Sequence, residues 1–442
     1  MTQNRKKVCT ISYGCQMSER DAETLTAISA QNGYQRTALP EEADLIIINT
    51  CCVRESAENK IIGKIGQLKS LKERKPDLKI AVAGCMVQQP GLLEKLQKKA
   101  PHVDIWTGTF DHHKFAELLH TAGEGNKVAA VSCDASQTSE AVPMAEKGKL
   151  KASVNIMYGC DNYCAYCIVP YVRGRERSRP KEVILKELRS LAENGCREVT
   201  LLGQNVNSYG KKDNFEYDFA DLLKEVDKID GLIRVRFTTS HPKDLSDKLI
   251  ATVAEGKNLC EHFHFPFQAG SNRILKAMNR KYTREYYLER VERILQEIPE
   301  ARITTDIIVG FPGETEEDFE QTLDLVKTVH FSQAFTFMFS KRSGTAGANL
   351  PEQIPLEVKK YRLQRLIELQ NDRSLAWRQK MLNKTYEILV EGPSKTNPEQ
   401  LTGRTRGNEV VIFKDNVNLV GSLVPVKMVS ANSWTLFGET NP

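Results

Sequence analysis

The chain has 442 residues, 40% hydrophobic and 27% charged, which is enough for about three domains with ordinary buried cores. No apolar run approaches the roughly 18 residues that would span a membrane, and the polar start MTQNRKK does not resemble a secretory signal. We therefore expect a cytoplasmic protein with no membrane partner. The formal net charge of +5 is too small to indicate a nucleic-acid partner by itself.

The first part of the chain alternates short apolar runs with helical stretches. The runs VCTISYG (8–14), ADLIIINT (43–50) and KIAVAG (79–84) are bounded by turn residues and separated by helical patterns. This alternation predicts a doubly wound parallel-sheet domain over residues 1–122. The next residues, 123–150, are polar with little periodicity and predict a linker.

Strands and helices alternate again from residue 151. The candidate strands are KASVNIM, EVTLLG, IRVRFTT, HFHFPFQ, ITTDIIVG and QAFTFMF. Six strand–helix units fit a partial (β/α)6 barrel better than a complete eight-unit barrel. Together with the helical pattern that follows them, these units predict a second domain over residues 151–378. Residues 379–442 contain short strands split by Gly, Pro and Asn, which predicts a small all-β, OB-like barrel. The predicted fold class is therefore α/β with a small C-terminal β-domain.

The chain contains eleven cysteines, and three of them follow the first three predicted strands directly: Cys15, Cys51 and Cys85. In a reducing cytosol, cysteines with ligand-like placement indicate metal or catalytic sites rather than disulfides. Ligands of an open parallel sheet bind beyond the carboxyl ends of its strands, so these three thiols would converge on one crevice. The alternative is three buried core thiols, since free Cys packs as a small hydrophobe. The repetition in successive units favours a shared site, with Cys52 as a packing neighbour and Cys9 in the core.

A second group has the pattern C-x3-C-x2-C: Cys160, Cys164 and Cys167. Structural zinc sites normally close the tetrahedron with paired C-x2-C knuckles or with His. The histidines that could complete such a site lie on distant predicted strands: His241, His262 and His264. An electron-transfer cluster normally has all its iron atoms ligated by cysteine. Three thiolates on a four-iron cluster would leave one iron free to bind a substrate or cofactor.

At these residues the sequence resembles the radical S-adenosylmethionine (SAM) superfamily, whose loop is C-x3-C-x2-C with an aromatic residue, here Tyr166, before the last cysteine. The resemblance implies a 4Fe–4S cluster whose unique iron binds SAM, and reductive cleavage of SAM to a radical that abstracts hydrogen. It also implies a set of SAM contacts at the ends of later strands. These are Gln204 and Asn205 of GQN at the amino group, Gln268 of PFQAGS at the ribose and Gly310 of IIVGFPGE near the adenine.

Two further features lie in the same region of the barrel. Asp306 is a polar residue within an apolar strand and is therefore another candidate SAM contact. The stretch PGETEEDF also has an alternative interpretation, a strand–turn–helix joint in which Thr315 and Asp318 form a capping box. Both interpretations stay open, because one turn can serve both purposes.

The whole chain resembles the methylthiotransferase family in the order and spacing of its motifs. YGCQM, NTCCVRE and AGC precede the radical-SAM barrel, and a β-barrel resembling the RNA-binding TRAM module follows it. The resemblance implies two 4Fe–4S clusters, with an auxiliary cluster on Cys15, Cys51 and Cys85 and the radical-SAM cluster on Cys160, Cys164 and Cys167. The auxiliary cluster would supply sulfur, one SAM the methyl group and a second SAM the radical.

Three motifs most resemble the tRNA branch of that family, which acts on isopentenyladenosine beside the anticodon: GQNVNSYG, VPYVRGRERSRP and RFTTSHP. The implied product is the C2-methylthio derivative. The alternatives are another tRNA adenosine modification, a ribosomal protein substrate, or a non-catalytic metal-bearing RNA-binding protein. We also expect an electron donor such as flavodoxin or ferredoxin, an iron–sulfur cluster carrier, and a monomeric chain.

Basic residues follow the second cysteine group. YVRGRERSRPK (171–181) carries four Arg and one Lys against one Glu, so Arg173, Arg175 and Arg177 are candidate phosphate contacts. The alternative is a solvated face with internal salt bridges. In the last domain, charge alone does not indicate an RNA partner. The OB-like topology suggests RNA binding, so Arg404 and Arg406 are candidate phosphate contacts there. Phe413 and Trp434 are available for stacking on bases.

Overall fold

The protein is described by a computed structural model covering residues 5–52, 55–132 and 148–440. The chain divides into two compact units. The N-terminal unit comprises Met1–Ala145, Met157–Tyr163 and Cys167–Arg177; the C-terminal unit comprises Glu146–Ile156, Cys164–Tyr166 and Ser178–Pro442. The second cysteine group thus contributes to both units. Within the described ranges, no helix has the length and apolarity needed to cross a bilayer.

The N-terminal unit is built on a six-stranded parallel sheet. Its strands are β1 (Lys7–Ser12), β2 (Gln35–Arg36), β3 (Leu45–Thr50), β4 (Lys79–Gly84), β5 (Ile105–Thr107) and β6 (Val128–Ala130), in the spatial order β2-β1-β3-β4-β5-β6. Its helices are α1 (Gln16–Gln31), α2 (Glu55–Arg74), α3 (Leu93–Lys99), α4 (Phe115–Gly123) and α5 (Val169–Arg173). The three apolar runs of the sequence are β1, β3 and β4.

Helices cover both faces of this sheet, which confirms the doubly wound prediction. Along β3, Ile46 and Ile48 pack with residues of α2 in one core cluster. The alternate residues Leu45 and Ile47 pack with α1 and α4 in another. Burial on both faces explains why the strand is a continuous apolar run rather than an alternating one. Strand β6 lies in the segment we expected to be a linker and pairs with β5; residues 133–147 of that segment lie outside the described residues.

The C-terminal unit begins with a barrel of six parallel strands. These are β7 (Lys151–Asn155), β10 (Glu198–Leu202), β11 (Arg234–Thr238), β12 (His262–His264), β13 (Arg302–Val309) and β14 (Gln333–Met338). The short strands β8 (Met157–Tyr158) and β9 (Arg177–Ser178) flank the cysteine loop; β8 and the first residue of β9 belong to the N-terminal unit. The accompanying helices are α6 (Lys181–Glu193), α7 (Phe219–Val226), α8 (Asp247–Glu255), α9 (Asn272–Ala277), α10 (Arg284–Glu297), α11 (Glu316–Thr328), α12 (Ala346–Asn349) and α13 (Leu356–Gln379).

The six barrel strands coincide with the six predicted ones. They form two three-stranded sheets, β7-β10-β11 and β12-β13-β14. Backbone hydrogen bonds continue from one sheet to the other, because the Cys260 amide donates to the Val235 carbonyl (2.9 Å) and the Ser240 amide to the His264 carbonyl (3.2 Å). The partial (β/α)6 barrel is thereby confirmed. Helix α11 starts with the predicted capping box of Thr315 and Asp318.

The last strands close into a small barrel, as predicted. They are β15 (Thr385–Pro393), β16 (Leu401–Arg404), β17 (Val410–Lys414), β18 (Leu423–Ala431) and β19 (Leu436–Thr440), in the closed order β15-β16-β17-β19-β18. Alternate residues of these strands, among them Ile388, Val411 and Val426, fill its interior. Phe413, which we expected to be available for stacking on a base, is part of that core and is 1% exposed. It is therefore inaccessible to RNA.

Candidate functional site

The three strand-terminal cysteines of the N-terminal unit meet at the carboxyl edge of its sheet. Cys15 is the N-cap residue of α1, Cys51 directly follows β3, and Cys85 directly follows β4. The Cys51 thiol donates a hydrogen bond to Cys15, and the Cys52 thiol donates one to Cys85. Cys52 and Cys85 also pack together in a small buried cluster. The structure thus brings the predicted residues together, with Cys52 as their neighbour.

A glycine is required beside Cys51. Gly14 has φ +148°, and a Cβ atom at this position would lie 2.3 Å from the Cys51 Cβ and 2.9 Å from its Sγ. Any side chain here would force Cys51 away from Cys15. The motif YGC therefore brings the two thiols together through the missing Cβ as well as through the cysteine itself.

The electrostatic environment favours thiolates at this edge. The hydrogen bond from Cys51 and the nearby Arg173 guanidinium hold the pKa of Cys15 well below its usual range. The hydrogen bond from Cys52 and the same guanidinium lower the pKa of Cys85. Cys52, as a donor and fully buried, has its pKa raised well above the ordinary value. The lowered pKa values of Cys15 and Cys85 favour the thiolate form that ligation of iron requires.

Arg173 is buried at this cysteine site and does not face solvent. Its guanidinium forms an ion pair with Asp21 at 2.6 Å, with both side chains less than 9% exposed. Helix α5, which carries Arg173, is anchored because Ile168 and Val172 pack against Cys52 and Cys85. The expectation that Arg173 contacts RNA is therefore corrected: this side chain supplies positive charge to the thiolates. Nothing in the run of four arginines distinguishes it from its neighbours.

In the second cysteine group, the segment around Cys160 is fixed by its backbone. Gly159 has φ +70°, and a Cβ there would lie 2.1 Å from the Arg175 carbonyl oxygen. The Cys160 amide donates to the Gly174 carbonyl (3.2 Å), and the Asn162 side-chain amide donates to the Cys160 sulfur (3.3 Å). Cys167 belongs to the same unit and is partly buried. This part of the loop therefore has a defined conformation around its sulfur atoms.

Within the ranges that the structure covers, no three His, Cys, Asp or Glu side chains are grouped as ligands of a single metal ion. A 4Fe–4S cluster makes a different demand, because each of its cysteines ligates a different iron atom. The histidines considered as zinc ligands have roles within the barrel. His262 and His264 both hydrogen-bond the Thr304 hydroxyl, at 3.1 and 3.0 Å. Their interpretation as structural residues agrees with these contacts.

Cys164 lies in the C-terminal unit, where a buried arginine contacts it. The Arg280 Nη1 atom is 3.5 Å from the Cys164 sulfur and 3.3 Å from the Tyr166 hydroxyl oxygen. Backbone contacts hold the same segment, since the Ala165 amide donates to the Met278 carbonyl (2.9 Å). Nothing in the sequence NRKYT singles out Arg280, because this composition is typical of an ordinary polar turn.

Buried polar atoms without a hydrogen-bond partner collect at the carboxyl ends of four successive barrel strands. They are Asn155 Oδ1 at the end of β7, Asn207 Nδ2 after β10, His241 Nε2 after β11 and Gln268 Oε1 after β12. Buried polar groups are normally paired, and each unpaired one costs roughly 1–3 kcal/mol. Four such atoms at one edge of the barrel fit a polar ligand such as SAM, with its amino acid and nucleoside groups. Only Gln268 among them was predicted from the sequence.

Gln268 and Asn205 differ in their availability to a ligand. Gln268 has φ +67°, and backbone hydrogen bonds to β13 hold it there while its side-chain oxygen is unpaired. Asn205 is fully buried, and both of its amide atoms are used: Nδ2 donates to Asp244 (2.7 Å) and Oδ1 accepts from the His241 amide (3.0 Å). The expectation that Asn205 contacts SAM directly is corrected, since it positions the 241–244 turn instead.

Three further predicted SAM residues lie within or just after barrel strands. Gln204 is partly buried after β10. The Asp306 carboxylate on β13 lies 3.5 Å from His264 Nε2 and is partly exposed. The Gly310 amide donates to the Glu314 carboxylate at 2.9 Å, which closes the GFPGE turn. Burial raises the pKa of Glu314 to about 7, although the hydrogen bond from the Gly310 amide and the positive charge of Arg362 both act to lower this pKa.

The arginines expected to bind RNA in the last domain make contacts within the C-terminal unit. Arg406 donates to the carboxylate of Glu261, with the closest approach at 2.6 Å. Arg404 donates to the Asn408 carbonyl (3.0 Å) and pairs with Glu391 (3.3 Å). Both side chains make protein contacts yet remain 32% and 30% exposed, so their contact with phosphates stays a prediction.

Other candidates for RNA contact remain exposed. The Arg175 side chain is 72% exposed, although it pairs with Asp161 at 2.6 Å. Arg177 is partly buried, and its guanidinium carbon lies 6.0 Å from the centre of the Tyr158 ring. Trp434, in the turn between β18 and β19, is 56% exposed. The accessible candidates thus lie in the segment after the cysteine loop and at one turn of the small barrel.

Comparison with known proteins identifies three parts of the chain. Residues 7–108 match Uncharacterized protein family UPF0004, residues 154–326 match the radical SAM superfamily, and residues 379–440 match the TRAM domain. Among solved structures, the radical SAM methyltransferase TsrM from Kitasatospora setae, with cobalamin and a [4Fe-4S] cluster bound, has a TM-score of 0.60 at 14% identity, covering 78% of this chain and 77% of that one. This likeness concerns the fold.

Curated relatives match over nearly the whole length. A tRNA-2-methylthio-N(6)-dimethylallyladenosine synthase of Desulfitobacterium hafniense (strain Y51) is 68% identical over 99% of this chain and 98% of the relative. The protein of the same name from Acetivibrio thermocellus is 53% identical over 99% of this chain and 92% of the relative. With radical-SAM and TRAM domains in the same chain, this chain belongs to the radical-SAM family of tRNA-2-methylthio-N(6)-dimethylallyladenosine synthases.

Proposed function

We propose that this enzyme adds a methylthio group to C2 of isopentenyladenosine beside the anticodon of tRNA. The observation that carries the proposal is the gathering of Cys15, Cys51 and Cys85 at one sheet edge in a chain that also has a C-x3-C-x2-C loop. Full-length relatives at 68% and 53% identity carry the corresponding name. A radical-SAM enzyme needs one three-cysteine site, and sulfur transfer accounts for the second.

The chain's own thiols would hold two 4Fe–4S clusters. In our proposal Cys15, Cys51 and Cys85 ligate the auxiliary cluster, while Cys160, Cys164 and Cys167 ligate the radical-SAM cluster. When bound, these clusters and two SAM molecules would supply the sulfur, the methyl group and the radical that activates the C–H bond. The residues around the thiols have supporting tasks. Arg173 stabilises thiolate charge at the first site, and burial of Cys51 and Cys85 keeps water away from it.

SAM would bind at the carboxyl end of the barrel strands through the side chains whose polar atoms are buried and unpaired. Gln268 Oε1 and Asn155 Oδ1 are acceptors suited to hydroxyl or ammonium groups, and Asn207 Nδ2 is a donor suited to a carboxylate. Burial and the charge of Arg280 lower the pKa of His241, so it is neutral near pH 7 and its free nitrogen can serve in the same set. Asp306, Gln204 and the turn at Gly310 would complete the site.

We further propose the partners and setting of the reaction. The tRNA would contact Arg175, Arg177 and exposed residues of the small barrel such as Trp434. Reduction of the cluster would require an electron donor such as flavodoxin or ferredoxin. Replacement of the transferred sulfur would require an iron–sulfur cluster carrier. The enzyme would act as a monomer in the cytoplasm, where tRNA is modified. Domain limits of 1–122, 151–378 and 379–442 are supported by the three profile matches.

The proposed function predicts a specific change in cellular tRNA. Deleting the gene should remove 2-methylthio-isopentenyladenosine and leave isopentenyladenosine in its place, because the enzyme acts on the preformed nucleoside. Mass spectrometry of tRNA nucleosides from deleted and complemented cells measures both species. An unchanged methylthio signal in the deletion strain would contradict the proposal, and loss of a different methylthio-nucleoside would redirect it to another adenosine modification.

The geometry at Gly14 predicts loss of the auxiliary cluster without loss of any ligand. Gly14→Ala should reduce bound iron from about eight to about four atoms per chain, because the new Cβ displaces Cys51. Anaerobic reconstitution followed by iron analysis measures this. The matched control is Gly63→Ala in α2, where a Cβ meets nothing within 4 Å; it should keep full iron and raise stability by about 1 kcal/mol. Full iron in Gly14→Ala would show that Cys51 is not a ligand.

A further inference from the structure

Arg280 stands apart from the other buried arginines of the protein by its partners. Nine arginines are buried in the described ranges, and eight of them have a carboxylate oxygen within 4.0 Å. Arg280 has no such partner among the described residues. Its guanidinium contacts the Cys164 sulfur (3.5 Å), the Tyr166 hydroxyl (3.3 Å), the Pro266 carbonyl (2.9 Å) and the Tyr282 hydroxyl (3.1 Å).

A buried cation without an anion is unfavourable. Moving an ion out of water costs several kcal/mol even after the surroundings relax, and carbonyl and hydroxyl dipoles offset only part of it. The other buried guanidinium at a cysteine site, Arg173, has the carboxylate of Asp21 at 2.6 Å. Among the described residues, the guanidinium of Arg280 contacts only the Cys164 sulfur, two hydroxyls and a backbone carbonyl, so a cluster held by that sulfur is the anion that the site can offer. The structure therefore leaves a positive charge to be balanced at this cysteine.

Arg280 also joins the cysteine loop to the predicted SAM pocket. Its Nη2 atom donates to the Pro266 carbonyl, and Tyr282, which accepts from Arg280 Nε, donates to the Phe267 carbonyl at 2.9 Å. The next residue, Gln268, has φ +67° and an unpaired side-chain oxygen. One guanidinium thus fixes the position of Cys164, of Tyr166 and of the turn that presents Gln268.

We propose that Arg280 is the positioning and charge-balancing residue of the radical-SAM cluster, which it holds through Cys164 while it orients the 266–268 turn towards SAM. The inference rests on the proposed role of Cys164 as a cluster ligand. A hydrogen bond to a ligating sulfur and a fixed positive charge both favour the more negative, reduced state of a cluster. Arg280 therefore makes the radical-SAM cluster easier to reduce.

The test compares Arg280→Met with Arg280→Lys in the full-length, anaerobically reconstituted protein. Redox titration followed by electron paramagnetic resonance measures the cluster whose signal changes on addition of SAM. Arg280→Met should lower the ratio of reduced to oxidised cluster at a fixed potential by at least tenfold, or about 59 mV for one electron. Arg280→Lys keeps the positive charge, so its ratio of reduced to oxidised cluster at the same potential should stay close to that of the wild type.

The matched control is Arg234→Met, which removes a buried arginine of the same barrel that donates to backbone carbonyls of the last domain. It should lower stability and leave the titration unchanged. Selective loss of about four irons in Arg280→Met, with full iron in Arg234→Met, also supports the proposal. If Arg280→Met does not fold, Arg280→Gln is assayed by the same criteria.

Three results would overturn the inference: an unchanged titration with full iron in Arg280→Met, an equal fall in Arg280→Lys, or an equal fall in Arg234→Met. None of these results would contradict the proposed function, because that function is tested separately by mass spectrometry of the tRNA nucleosides. Absence of iron from the wild-type protein would instead overturn the proposed function itself.

Discussion

Cys164→Ala is expected to abolish reductive cleavage of SAM, and Cys160→Ala and Cys167→Ala should do the same. Three thiolates are the minimum that holds a four-iron cluster with one open iron, so removing any one removes the site where SAM binds and is reduced. Release of 5′-deoxyadenosine after addition of dithionite, measured by mass spectrometry, should fall below detection. Bound iron should fall from about eight to about four atoms per chain, because the auxiliary site is intact.

Cys196→Ala is the matched control for this prediction. Cys196 is buried, and its thiol donates a hydrogen bond to the Glu198 carbonyl (3.2 Å). Burial raises the pKa of this thiol to about 11, which is typical of a cysteine in a protein core. Its replacement should cost a little stability and leave both iron content and SAM cleavage near wild type. SAM cleavage by Cys164→Ala at the wild-type rate would exclude Cys164 as a cluster ligand.

Replacing a cysteine of the other site should separate the two half-reactions. Cys85→Ala is expected to retain SAM cleavage and lose the methylthio product, and Cys15→Ala and Cys51→Ala should behave alike. The radical-SAM cluster needs none of these thiols, whereas the sulfur to be transferred depends on all three. Incubation with tRNA carrying isopentenyladenosine, followed by assay of 5′-deoxyadenosine and of the methylthio-nucleoside, measures both outcomes in one sample.

Two controls sharpen this experiment. Cys9→Ala removes a thiol from the core of the same sheet, where burial raises its pKa, and should leave both products unchanged. Cys52→Ala removes the hydrogen bond to Cys85 but no proposed ligand, so it should weaken the site and still give product. Methylthio product from Cys85→Ala at the wild-type level would refute the role of this site in sulfur donation. Loss of both products would indicate that the variant is misfolded, which circular dichroism would reveal.

The positions of the cysteines in the fold could be predicted from the sequence because they depend on local patterns. The apolar runs before Cys15, Cys51 and Cys85 are the strands β1, β3 and β4, and parallel strands place their carboxyl ends at one edge. The six barrel strands and the capping box at Thr315 were predicted correctly for the same reason. Hydrophobic periodicity and turn residues report burial and element ends over a few residues at a time.

The partners of the long polar side chains could not be predicted in this way. Arg173 was expected to contact RNA because arginine in a basic run is equally consistent with solvent, phosphate or a buried carboxylate. The two amide atoms of Asn205 gave no sign that they would hold a neighbouring turn. Burial of Phe413 likewise depended on which face of β17 closes the barrel.

The sequence by itself determined the three-domain order, the strands and the two cysteine groups of this protein, since each follows from residues close together in the chain. The tertiary structure alone decided which charges serve those groups. The Arg173–Asp21 pair joins residues 152 positions apart, and the contact between Arg280 and Cys164 spans 116. An arginine side chain is long and flexible enough to reach many partners, and only the packing of distant elements selects one and removes it from water.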